Sequence, residues 1–350
     1  MALKNYLALA GFVVCTLSSF FSMILGAPMY LCSPALWRAW QDLFKGTFGL
    51  IMTTLMWLAS PGSMRVYTRS EGLKFRVDHG ILQSQLGSRA VVMANHQTYS
   101  DWVYMWYLAY TADLQGAIIV TLKKSLKNIP VLGWSMQWFH FLFLSRKWDE
   151  DREQIAETAK FLSSDKTWAS WMCLYPEGTV FNENTWKRTE DYAAKTGVPP
   201  HLLPHHMLLP RVKGLHAILR GLDGALPVLY DFTLAYEPVS RNPSEAVESH
   251  FSLKRTFLEG KGPQTVKLHI REFPMNEVPY REPEEVFQQW LYARWAEKDQ
   301  IYADLVAGNL ESELRAESLV RPGTYLELYQ CFNVPLTLFM FVSLLWRFLG

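Results

Sequence analysis

The sequence is short of the features that mark several functional classes. Charged residues fill 19% of its 350 positions and nearly cancel, leaving a net charge of +1. There is no broad basic field to draw in nucleic acid, and any recognition of phosphate has to be local. The four cysteines, Cys15, Cys32, Cys173 and Cys331, lie far apart and mostly in or beside apolar segments. That scatter excludes a spaced disulfide framework and a cysteine-based zinc site. His201, His205 and His206 approach a metal-ligand spacing, but Pro199, Pro200 and Pro204 break any helix that would present them together, so no metal is expected. A serine-hydrolase elbow, Gly-x-Ser-x-Gly, is also missing. The nearest stretch, Gly133-Trp134-Ser135-Met136-Gln137, lacks the second glycine, which argues against a lipase or thioesterase. Neither an internal repeat nor a low-complexity tract is present.

Apolar sequence, by contrast, is plentiful. At 49% hydrophobic and 14% aromatic, the chain can bury a full α/β domain and still supply segments for a bilayer. No charge occurs between Lys4 and Arg38, and Tyr6 to Leu25 alone would make a helix of about 30 Å, the thickness of a bilayer core. The run continues through Pro28, Met29, Tyr30 and Leu31, too long for a signal peptide, so an uncleaved anchor is expected. A second uncharged stretch, Gly46 to Met64, reads as a short span or half of a hairpin, its apolar part stopping at Ala59. A third, Leu328 to Trp346, is interrupted by Pro335. Lys and Arg flank these segments too evenly to fix an orientation.

Between the anchors, apolar runs of strand length recur at Ala90 to Ala94, Ala117 to Thr121, Phe141 to Leu144, Met172 to Tyr175 and Pro227 to Leu234. Separated by helix-compatible stretches such as Asp151 to Leu162, they predict an α/β fold whose mostly parallel sheet is flanked by helices and buried on both faces. From Glu284 to Leu305, Phe287, Trp290, Leu291, Trp295, Ile301 and Leu305 recur at helical spacing, which predicts a helix packed on the domain ahead of one lying on a membrane.

The segment Asn95-His96-Gln97-Thr98-Tyr99-Ser100-Asp101 follows the first strand and leads into a helical run, Trp102 to Leu108. His96 should sit at the strand end and Asp101 on the first helical turn, where Thr98 or Ser100 can cap. Residues five apart on one helix are rotated by about 140°, so a turn must bring the two together. Once paired, the Asp101 carboxylate takes one imidazole N–H and leaves the other nitrogen to accept a proton from an alcohol. Arg146, at the end of a buried strand, offers a fork of donors for phosphate oxygens, with Lys123 and Arg211 as weaker candidates. Glu177-Gly178-Thr179 follows another strand, where glycine permits close backbone approach; the plainer reading is a turn with a helix cap.

Asn95-His96 followed, after four intervening residues, by Asp101 resembles the first motif of the glycerolipid acyltransferases related to lysophosphatidic acid acyltransferase. Later blocks follow in order. Phe143-Leu144-Ser145-Arg146 resembles the second, Tyr175-Pro176-Glu177-Gly178-Thr179 the third, and Leu226-Pro227-Val228-Leu229-Tyr230-Asp231 the fourth. The resemblance covers roughly residues 80 to 235. Lys123 to Pro130 through Arg152, Leu209-Pro210-Arg211, and Trp290-Leu291 with Lys298-Asp299 extend it toward the eukaryotic lysophosphatidylinositol and lysocardiolipin acyltransferase-like subgroup.

The resemblance implies an acyltransferase with His96 and Asp101 as catalytic pair and Asn95, Lys123, Arg146, Glu177, Gly178, Thr179 and Arg211 as substrate-binding residues. Its partners would be acyl-CoA as co-substrate, a lysophospholipid and a membrane bilayer, with no cofactor, no metal and no nucleic acid. The family often has arginine directly after the Gly-Thr pair, where this chain has Val180. That departure moves weight from lysophosphatidic acid toward acceptors with a larger head group, such as lysophosphatidylinositol. Residues 1–65 would be an N-terminal membrane anchor, 66–310 the acyltransferase domain with its amphipathic helix, and 311–350 a C-terminal membrane segment. The endoplasmic reticulum membrane is the expected location, with the active site at the cytosolic face. Intact His96 and Asp101 argue against a non-enzymatic scaffold. Trp134, Trp138, Phe139, Phe141 and Phe143 could line an acyl path, core packing being the plainer reading for most.

Overall fold

The uncharged N-terminal run forms helix α1 (Ala2–Leu25), then a single turn, α2 (Met29–Cys32), and α3 (Pro34–Ala59). The structure, a computed structural model, describes residues 2–145, 148–238 and 246–349. Ser33 starts α3 by accepting from the Leu36 N–H at 3.3 Å, with Pro34 at the first helical position. Among the described residues, Leu3–Cys32 is long and apolar enough to cross a membrane.

The stretch Gly46 to Ala59, expected as a short span or half a hairpin, is instead the second half of α3. Leu50, Ile51, Met52, Leu55 and Met56 are buried there within the protein's own core. Thr53 and Thr54 return their hydroxyls to the carbonyls of Gly49 and Leu50, so the buried face carries no unpaired threonine. An apolar run has the same composition whether it faces lipid or a sheet, and here protein covers it.

Strand β1 (Ser63–Tyr67) is followed by a hairpin of β2 (Lys74–Asp78) and β3 (Ile81–Gln85). Its two-residue loop, His79-Gly80, has positive φ at both positions, as the twist of such a hairpin demands. Then come β4 (Arg89–Ala94), α4 (Asp101–Thr111), β5 (Ile118–Lys123), α5 (Leu132–Trp138), β6 (Leu142–Leu144), α6 (Trp148–Ser164) and β7 (Ser170–Leu174). Helices α7 (Glu183–Thr196) and α8 (Val212–Leu222) lead to β8 (Val228–Glu237). The last elements are α9 (Val247–His250), β9 (Thr265–Pro274), α10 (Glu284–Ala307), β10 (Leu314–Leu319) and α11 (Tyr325–Leu349).

Eight strands form one sheet in the order β10-β1-β9-β8-β4-β7-β5-β6. Five of its seven pairings are parallel, the exceptions being β8 with β9 and β1 with β10. All five apolar runs of the sequence are the strands β4 to β8. Alternate residues of β4 serve the two faces: Ala90, Val92 and Ala94 join the core under α3 and α4, while Val91 and Met93 join the one under α6, α8 and α10. Coverage on both faces explains why these strands read as unbroken apolar runs.

Arg89 pins the start of β4. Its guanidinium donates to the carbonyls of Leu162, Asp165, Trp168 and Ala225 at 2.7–3.0 Å. The edge strand β10 comes from the part of the chain expected at the membrane, and α11 runs on as one helix through Pro335.

Candidate active site

Strands β8, β4, β7, β5 and β6 all point the same way, so the residues that follow them gather along one rim of the sheet. His96 stands there, two residues past the end of β4, and Asp101 opens α4. The turn required by their spacing is present, with His96 Nδ1 2.9 Å from Asp101 Oδ2. Asp101 is fully buried and the His96 side chain keeps 17% of its surface open. A carboxylate beside Nδ1 places the ring proton there, an assignment made from the bonding partners, and leaves Nε2 as an acceptor. No described residue bonds to Nε2. The imidazole lies on the Tyr175 ring, centroids 4.4 Å apart at 27°.

Helix α4 is not capped as expected. Ser100 stands at the N-cap but makes no side-chain cap bond. The Asp101 carboxylate itself gathers the loop, accepting from the N–H groups of Gln97 (2.7 Å) and Thr98 (3.1 Å) and from the Thr98 hydroxyl (2.8 Å). Its remaining donor is the Tyr236 hydroxyl, from β8.

Asn95 is buried, and its amide engages the main chain of β8, donating to Leu234 O at 2.9 Å and accepting from Leu234 N at 2.8 Å. It extends the β4–β8 pairing by one step and so fixes where His96 begins.

Glu177, 2% exposed, accepts from the backbone N–H of His96 at 2.8 Å and from that of Leu208 at 3.0 Å. Burial pushes its carboxyl up to about 8, against the pull of those two donors and of Lys298. The structure gives this carboxylate a grip on the backbone of His96 itself. Gly178 follows at φ +72°, and a Cβ there would stand 2.8 Å from Arg211 Nε. Its glycine is required both for the turn and for the guanidinium packed against it. Arg211, exposed at the start of α8, donates its backbone N–H to Pro176 O at 2.8 Å. Thr179 is half-buried in the same bend, and Val180 is a core residue at 2% exposure.

Lys123 ends β5, exposed on the same rim and two strands from β4, about 10 Å at ordinary strand spacing. Arg146 lies outside the described residues. The structure therefore joins His96, Asp101 and Glu177 by hydrogen bonds, with Asn95 tying the strand end beside them to β8, Gly178, Thr179 and Arg211 next to Glu177, and Lys123 farther along the rim.

Two family models match this chain, one for acyltransferases over residues 75–223 and one for an acyltransferase C-terminus over residues 256–311. An uncharacterised acyltransferase of Schizosaccharomyces pombe is 36% identical over 340 residues, spanning 96% of this chain and 95% of that protein. The 2-acyl-1-lysophosphatidylinositol acyltransferase of Saccharomyces cerevisiae is 32% identical over 292 residues, 73% of this chain and 72% of that one. The chain belongs to the glycerolipid acyltransferase family, and it is an enzyme. Among solved structures, the 1-acyl-sn-glycerophosphate (LPA) acyltransferase PlsC of Thermotoga maritima superposes with a TM-score of 0.47 at 15% identity, covering 88% of this chain and 96% of that one.

In this acyltransferase the second matched segment braces the first. From α10, Asp299 accepts the backbone N–H groups of His205 (2.9 Å) and His206 (2.7 Å), and the Trp295 indole donates to Leu208 O at 2.8 Å. The Gln97 side chain closes the circuit by donating to His206 O at 2.9 Å. Lys298, fully buried, pairs with Asp231 of β8, which Arg271 of β9 also holds. Those two cations keep the Asp231 carboxyl below its ordinary value in spite of burial.

The hydrolase alternative finds no support at Ser135, whose hydroxyl turns back onto Val131 O within α5. Of the aromatic candidates for an acyl path, Phe139, Phe141 and Phe143 are core residues. Trp138 stacks on Phe20 of α1 at 5.7 Å, and Trp134 is half exposed beside it.

Proposed function

We propose that this acyltransferase moves a fatty acyl group from acyl-CoA to the free glycerol hydroxyl of a lysophospholipid, with a large head group such as that of lysophosphatidylinositol preferred over lysophosphatidic acid. The observation that carries the reading is His96, backed at Nδ1 by a buried carboxylate and open at Nε2 on the strand-end rim. Nε2 takes the hydroxyl proton as the oxygen attacks the thioester carbonyl, and Asp101 stabilises the imidazolium that forms. The tetrahedral intermediate collapses with cleavage of the C–S bond. CoA departs as a thiolate, a good leaving group at neutral pH, so no acyl-enzyme, metal or bound cofactor is needed.

Arg211, packed on Gly178, is a cation available to the acceptor phosphate, with Lys123 farther along the rim. The head-group preference is supported by Val180, a core residue where the family often has arginine, and by the similarity to the yeast lysophosphatidylinositol enzyme. Helix α1 anchors the protein in the endoplasmic reticulum membrane, with α11 as a second contact and the rim toward the cytosol, where acyl-CoA is made.

The test is thiol release from oleoyl-CoA by detergent-solubilised protein offered lysophospholipids of different head groups, with His96→Ala beside it. Release and product formation driven by one acceptor, and silence of the variant, sustain the reading and name the head group. Turnover highest with lysophosphatidic acid would replace the preference with phosphatidic acid synthesis. CoA release that is the same without acceptor would make the protein a thioesterase.

A further inference from the structure

Every donor on the Asp101 carboxylate but one comes from its own loop. Oδ2 receives His96 Nδ1 and the Gln97 N–H, and Oδ1 receives the Thr98 hydroxyl, while the Thr98 N–H lies within reach of both oxygens. These donors sit within five positions and move with the carboxylate. The exception is the Tyr236 hydroxyl, which donates to Oδ1 at 2.5 Å from β8, 135 positions along the chain. Tyr236 is fully buried, its ring held against Tyr104 of α4 and Phe251. It belongs to none of the sequence motifs.

The geometry points to Tyr236 as a positioning residue for acyl transfer, fixing the Asp101 carboxylate to the sheet and setting how strongly it stabilises the His96 imidazolium. A hydrogen bond to a carboxylate in a dry site is charge-assisted and draws negative charge toward the donor. The charge drawn onto Oδ1 is lost to Oδ2, the oxygen that faces His96. Without the hydroxyl, Oδ2 becomes the stronger acceptor and holds the imidazolium more tightly. The carboxylate also loses its one bond to the central strands. This inference rests on the assignment of His96 and Asp101 as the catalytic pair.

Tyr236→Phe removes the hydroxyl and keeps the ring. In detergent, kcat for acyl transfer should fall about tenfold to a hundredfold, the range for a lost bond to a charged group, with KM for acyl-CoA and for acceptor within twofold. The acid limb of the kcat profile should move to higher pH. Replacing Tyr236 with 3-fluorotyrosine, a stronger donor of nearly the same shape, should move that limb to lower pH. A residue that only filled space would lower thermal stability and leave the limb in place. Unchanged kcat and an unmoved limb in both variants, with His96→Ala silent, would overturn the role of Tyr236 alone; activity surviving in His96→Ala would overturn the catalytic pair and this inference together. Should Tyr236→Phe fail to fold, the fluorotyrosine protein decides by the direction of its shift.

Discussion

A carboxylate almost closed to solvent and placed between two backbone N–H groups is under opposing pressures. At Glu177 burial outweighs the donors, and its folded-state value of about 8 stands above the ordinary 4.5. A group raised in this way is protonated in the folded protein and ionised in the unfolded chain between those values, so stability falls as pH rises through that window and levels off above about 8. Glu177→Gln removes the titration. The thermal midpoint of the wild type relative to the variant should therefore drop as pH goes from about 5 to about 8, measured by scanning fluorimetry in detergent. A flat difference would mean that Glu177 is ionised throughout. Catalysis should suffer too, because the Gln amide can accept only one of the two N–H groups and must turn its own NH₂ against the other. The Tyr-Pro-Glu-Gly-Thr block marked Glu177 as important in the sequence. Its partners, the backbones of His96 and Leu208, lie 81 and 31 positions away and have no local signature.

Among the elements, α10 shows what a helical pattern conceals. Its apolar stripe was readable, and Phe287, Leu291 and Trp295 are buried on the domain. The polar residues on that helix do the positioning, since Asp299 holds the 205–206 backbone that leads to Leu208 and from there, through Glu177, to His96. Asp299→Ala should leave two N–H groups without their acceptor, costing about 1–3 kcal/mol for each that stays dry, and should lower kcat more than it raises either KM. Thermal unfolding and steady-state rates on one preparation check this, and a variant with unchanged kcat would confine α10 to packing. Strands β4 to β8 were legible because a strand covered on both faces is apolar throughout. Strand β9 was not, since it carries Lys267, His269 and Arg271, each with a polar partner, at Leu305 and Glu237, Glu313, and Asp231. Strands β1 and β10 also carry charge, Arg65 of β1 pairing with Glu317 of β10 and with Glu311 just before that strand.

The fold of the whole molecule uses only part of the chain's apolar excess. The second half of α3 is absorbed into the core, while α1 still exposes Leu3, Tyr6, Leu7, Val14, Phe21 and Leu25, and α11 exposes Phe339, Met340, Val342 and Trp346. Contiguous exposure of that kind is characteristic of a lipid or protein interface. The protein should stay with membranes through high-salt and alkaline carbonate washes and come off with detergent. Release by salt alone would show that charge, rather than α1, holds it there.

The class of chemistry, the pairing of His96 with Asp101 and the parallel half of the sheet were legible in the sequence, because apolar runs, turn residues and a His-to-Asp spacing are all local. Only the folded chain shows that the second half of α3 packs on protein, that Asn95 and Glu177 hold backbone, and that Tyr236 reaches Asp101. Each of these depends on which surfaces meet across long stretches of chain, and the same apolar composition serves a bilayer and a core equally well.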